Sequence, residues 1–67
     1  MAPSTDHEKE IASKVDAKAK AIQEGTRRWD NNIIQEMRIA VGFEMSDAEF
    51  SFFERYVTWR RQKPISN

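Results

Sequence analysis

Ser46–Arg61, SDAEFSFFERYVTWRR, decides the fold. Ser46 followed three residues later by Glu49 is a capping box: the hydroxyl accepts from the Glu49 amide, and the carboxylate reaches back to Ser46. Asp47 and Glu49 lie at the positive end of the helix dipole; Arg55, Arg60, Arg61 and Lys63 lie towards the negative end. Pro64 stops the helix. Within it, Phe50, Phe52, Phe53, Tyr56 and Trp59 fall in ten residues. At 100° per residue, Phe50, Phe53 and Val57 lie within about 60° of one another. Phe52, Tyr56 and Trp59 form a second group centred roughly 130° away. An edge helix needs one apolar stripe, and this one has two. Either the chain wraps it from two sides, or one stripe meets a partner.

Upstream, Thr5-Asp6-His7-Glu8 has capping-box spacing. Ile11, Val15, Ala19 and Ile22 then recur at intervals of four, four and three, a narrow apolar stripe on a helix. This stripe is alanine-rich, so the helix can lie close to its neighbours. Gly25 ends it. Asp30, Asn31 and Asn32 are turn and cap residues, and Asn32 with Gln35 has capping-box spacing. Ile33, Ile34, Met37 and Val41, with Ala40, give a short second helix that Gly42 terminates. Phe43 and Met45 are placed as a lid on the core. The pattern predicts an all-α fold, a small three-helix bundle forming a single domain over 1–67. Helices are expected at about 6–24, 32–41 and 46–62, with loose ends at 1–4 and 64–67. Phe50, Phe53 and Val57 are expected to fill the space between the first two helices, and the third helix is read as the central beam. Trp29 and Phe43 are expected either to cover Phe52, Tyr56 and Trp59 or to leave them as a partner-binding patch.

With 67 residues, this is a domain size that often gains stability from disulfides, metals or oligomerisation. No cysteine is present, which removes disulfides and thiolate metal sites and fits a reducing compartment. The one histidine, His7, is read as a solvated side chain in a polar segment. Eleven Lys and Arg balance eleven Asp and Glu. That balance speaks against a dedicated nucleic-acid binder and against electrostatic recruitment to an anionic membrane. No apolar run approaches the ~20 residues of a membrane span, and the polar start lacks a signal-peptide core. The expected location is the cytoplasm.

Catalytic chemistry is not legible. Gly25 and Gly42 are helix ends rather than a phosphate loop. No hydroxyl or thiol nucleophile is paired with a histidine. Glu8 with Glu10, and Asp47 with Glu49, read as helix-start electrostatics. The expectation is a non-enzyme without metal or cofactor. Arg27, Arg28, Arg55, Arg60, Arg61 and Lys63 would face phosphates only if the end of the third helix folded back towards the first connection. Their plainer role is to balance carboxylates and a helix dipole.

Arg28-Trp29-Asp30-Asn31-Asn32-Ile33-Ile34-Gln35-Glu36 resembles the segment Arg-Tyr-Asn-Met-Pro-Val-Ile-Ala-Glu of the theta subunit family of bacterial DNA polymerase III, which includes phage homologues. Val15-Asp16 before an alanine-rich stretch is similar to that family's Val-Asp-Leu-Ala-Ala. Phe53-Glu54-Arg55 and Arg60 are similar to its Glu-Arg-x-x-x-x-Arg, preceded by paired aromatics. The resemblance spans about Val15–Arg61. It needs one extra residue before Arg28 and two before the third helix. Asn32 departs from the family's proline, and Trp29 from its tyrosine. The resemblance implies a three-helix non-enzyme of DNA replication that binds and stabilises the epsilon proofreading exonuclease. It implies a contact surface of Ile22, Trp29, Ile33, Ile34 and Met37. Separately, no direct nucleic-acid contact is expected, and the free protein is expected to be a monomer or weak homodimer. The alternative partner surface is Phe52, Tyr56 and Trp59. Two other functions stay open: a small helical interaction or self-associating module, such as a phage-encoded inhibitor, and a nucleic-acid-binding helical bundle.

Overall fold

The structure is a computed structural model that describes residues 1–65. It holds three helices, α1 (Asp6–Gln23), α2 (Asn31–Ala40) and α3 (Asp47–Gln62), and forms a three-helix bundle. Each expected boundary lies within one residue of the observed one. The 18 residues of α1 rise about 27 Å at 1.5 Å each, close to the 31 Å long extent of the molecule.

The caps explain where the helices begin and end. Thr5 accepts from the Glu8 amide at 3.1 Å. The Glu8 carboxylate, however, accepts from the amide and hydroxyl of Ser4, each at 2.9 Å, so the expected reciprocal box is replaced by a clasp one residue earlier. At the other end of α1, the Gly25 amide donates to the Ile22 carbonyl at 3.0 Å and the Thr26 amide to the Ala21 carbonyl at 3.1 Å. This is a Schellman stop, and it needs Gly25 in the left-handed region, at φ +87°. The cap of α2 is Asp30, which accepts from the Ile33 amide at 2.9 Å, and not Asn32 with Gln35. A carboxylate is at least as good a cap as an amide. For α3 both halves of the Ser46–Glu49 box form, at 3.2 and 2.9 Å.

Polar contacts fix the direction of the helices. His7 meets Glu49, Asp16 meets Tyr56 and Arg60, and Gln23 meets Ile65. These pairs climb α1 and α3 together, so the two helices run parallel and in register, with α2 returning between them in sequence. α1 packs against both other helices, while the backbones of α2 and α3 do not approach each other. The shared wall is therefore α1, not α3 as the sequence suggested. Ala12 and Ala19, both buried, let it come close to its neighbours.

The core is built from Ile11, Val15, Ile33, Met37, Val41, Phe52, Phe53, Tyr56 and Val57, with Phe43 and Met45 packed over it. Phe53 and Val57 are buried as expected, but Phe50 is only half-buried, whereas Phe52 and Tyr56 of the second stripe are inside. The two stripes of α3 thus form one wide buried arc. The ends are also held more firmly than expected. Ser4 is clasped to Glu8, and Ile65 exchanges two hydrogen bonds with the Gln23 side chain, at 2.8 and 3.0 Å. The remainder of the expected loose tail, Ser66 and Asn67, lies outside the described residues.

Candidate interaction surface

Two of the five residues that the resemblance assigns to a partner surface cannot reach one. Ile33 and Met37 are fully buried in the bundle. At 100° per residue they point one way along α2 and form its anchor to the core. Ile22, Trp29 and Ile34 are half-buried and remain accessible at their edges. The alternative surface fares similarly. Phe52 and Tyr56 are buried, and only Trp59 keeps an accessible edge.

Ile22 and Trp29 meet at a crevice of about 150 Å³ where the end of α1 faces the last turn of α3. Pro64, Arg60 and Arg61 complete its wall. Arg60 is held in place from several sides. Its Nε donates to Asp16 at 2.8 Å, one terminal nitrogen donates to the Tyr56 hydroxyl at 3.3 Å, and the other to the Lys63 carbonyl at 3.0 Å. Its guanidinium lies over the Trp59 ring, 4.4 Å from the centroid. Tyr56 donates to Asp16 at 2.9–3.0 Å. Burial, and then the neighbouring Asp16 carboxylate, push the Tyr56 phenol above its ordinary range, although Arg60 pulls the other way. Such a fully paired network rigidifies the wall of the crevice. Arg61 has no carboxylate partner among the described residues. The crevice can therefore take an apolar or aromatic side chain and set a cation beside it.

The end of α3 does lie beside the first connection, as a phosphate-facing patch would require, since Arg60 and Arg61 share the crevice with Trp29. Arg27 forks onto both oxygens of Glu36, with Lys18 3.4 Å from the same carboxylate. The Arg27 hydrogen bonds hold the Glu36 carboxyl down at about 2, further lowered by Lys18. With Arg27 bound to Glu36 and Arg60 to Asp16, two of the six candidates are committed to ion pairs inside the fold.

His7 is not merely solvated. Its Nδ1 lies 2.5 Å from Glu49, and its ring stacks on Phe43 with centroids 3.9 Å apart. The Ser46 amide, and then His7, lower the Glu49 carboxyl. This contact joins the starts of α1 and α3, and a separation of 42 residues leaves no local sequence signal for it.

Sequence reasoning passed over a second apolar face. Ile39 is 79% exposed. It borders a groove of about 400 Å³ that also takes in Phe43, Met45 and Phe50. Ile39 is out of phase with Ile33, Met37 and Val41 on the helical wheel, and that phase was the available signal. Among the described residues, no three His, Asp or Glu side chains converge to hold a metal ion, and no helix is long and apolar enough to cross a membrane. Comparison of the chain with protein-family models, with curated proteins and with solved structures finds no match.

Proposed function

We propose that this protein is a non-catalytic, theta-like accessory subunit that binds and stabilises a proofreading exonuclease of a DNA polymerase III core. The observation that carries the reading is the accessible pair Ile22 and Trp29, set in a crevice with rigid walls. Trp29 belongs to the segment 28–36 on which the resemblance rests. An aromatic residue held at a well-packed apolar rim is the usual chemistry of a binding hot spot. The proposed contact set is Ile22, Trp29 and Ile34; Ile33 and Met37 act from inside by fixing α2. Binding to the folded state of a labile partner raises its stability by mass action, so no active site is needed.

The test is the melting temperature of a cognate proofreading exonuclease domain with and without this protein. The expected result is an upward shift that Trp29→Ala reduces, with binding weakened about thirtyfold, the effect of a hot spot of about 2 kcal/mol. Circular dichroism of the variant checks that the bundle persists. No complex at micromolar concentrations overturns the proposal. A second reading, a self-associating helical module, is favoured by the exposed Ile39 and does not exclude the first. A nucleic-acid-binding bundle is the least supported, since net charge is zero and Arg27 and Arg60 are held by carboxylates.

A further inference from the structure

We infer that the outer face of α2 and the connection to α3 form a two-fold interface with a second copy of this chain. A symmetric dimer uses the same patch twice, so the patch must complement itself. This one does. Its centre is apolar: Ile39 projects with 79% of its surface exposed, beside a groove of about 400 Å³ bordered by Phe43, Met45 and Phe50. That groove also carries one cation and one anion, Arg38 and Glu44. Neither has an oppositely charged partner among the described residues. Arg38 instead lies over the Phe50 ring, 5.0 Å from its centroid.

A two-fold axis near Ile39 brings each Arg38 to Glu44 of the other copy and lets each Ile39 enter the opposing groove. One patch thus supplies both the apolar contact and its two ion pairs. The zero net charge adds no repulsion between copies, and a domain of 67 residues gains from burying more apolar surface than one copy can. Glu44 and Phe43 precede the start of α3, while Trp29 and Pro64 lie at its far end. The dimer therefore leaves the Trp29 crevice open and presents two of them.

Sedimentation velocity over a concentration series tests the interface. The expected result is a reversible shift from the 7.9 kDa chain to twice that mass. Ile39→Glu, on an exposed helical position, keeps the helix signal in circular dichroism and weakens the dimer about a hundredfold or more. Arg38→Glu and Glu44→Arg each place like charges opposite one another and weaken it about tenfold or more. The double reversal carrying both restores it. A single-chain mass at millimolar concentration overturns the inference. So does a dimer indifferent to Ile39→Glu, or a double reversal no better than either single one. The outcome is separable from exonuclease binding. A monomer that still stabilises the exonuclease removes the dimer alone, and a dimer that does not removes the accessory-subunit reading alone.

Discussion

The α1–α3 contact and the α1–α2 contact are built in different ways. Along α1 and α3, polar pairs recur from end to end: His7 with Glu49, Asp16 with Tyr56 and Arg60, Gln23 with Ile65. Hydrogen bonds are directional, so they fix register and orientation between two parallel helices that apolar stripes alone would leave free to slide. α2 is held by Ile33 and Met37, by Val41 just beyond it, and by one carboxylate, Glu36, gripped by Arg27 and Lys18. Its other face exposes Asn31, Asn32, Gln35, Arg38 and Ile39, with Arg38 reaching α3 over the Phe50 ring. A small bundle has thereby divided its tasks. One helix pair carries specificity of fold, and the third helix is attached mainly by burial and offers a surface.

The largest expected effect comes from the buried cluster that all three helices share. Phe53 is 1% exposed and lies in the same cluster as Ile11, Ile33 and Met37. Phe53→Ala removes the burial and leaves a cavity, and should cost about 4 kcal/mol. A domain of this length has on the order of 3–10 kcal/mol in total. Urea denaturation should therefore show a midpoint moved far towards water, reaching it if the total lies at the low end of that range. A loss below 1 kcal/mol on the order-of-magnitude scale of core truncations would mean that the cluster collapses freely, and that the α1–α3 pairs alone hold the fold.

Asp16→Ala tests the directional side of the comparison. It removes the acceptor of the Tyr56 hydroxyl and of the Nε of an Arg60 side chain that is only 13% exposed. Hydrogen bonds to charged groups contribute about 1.5–3 kcal/mol, and leaving those donors without this acceptor sets the cost near the upper half of that range. The same denaturation experiment reads it. Because Arg60 also walls the Trp29 crevice, the variant should bind an exonuclease partner more weakly even where it remains folded. Equal binding by the folded variant would show that the crevice does not depend on the network.

What the sequence disclosed was local. Ser46 with Glu49, Gly25 and Gly42 act within one turn of themselves, and all three were legible as start or stop signals. The parallel pairing of α1 with α3 was not, because each of its polar contacts joins residues at least 40 apart. The cap of α2 was misplaced because Asp30, Asn31 and Asn32 are all competent caps and tertiary packing chooses among them. Phe52 and Tyr56 looked like a candidate patch because helix periodicity assumes one neighbour, whereas α3 buries an arc wide enough to join both stripes. Ile33 and Met37 entered the candidate site with Trp29 for a related reason. A segment resemblance carries residues together, while burial separates those that anchor a helix from those that can touch a partner.

The smallest expected effect concerns the ion cluster that ties α2 to α1. Glu36 has its carboxyl lowered from 4.5 to about 2, mainly by the Arg27 fork and then by Lys18. A carboxyl whose folded value is depressed contributes stability that is fully present above its unfolded value. That stability is lost as pH falls through the folded one. The window here runs from about 4.5 down to about 2. All three side chains are about a third exposed, so solvent screens the cluster and its effect on global stability is slight. Titration of the Glu36 side chain by nuclear magnetic resonance resolves it. Arg27→Ala should move the midpoint back towards 4.5, but not all the way, since Lys18 remains. It should also raise hydrogen exchange selectively in α2. An equal rise in α1 and α3 would show that the bundle opens as one unit, and that α2 is not the more loosely attached of the two partners of α1.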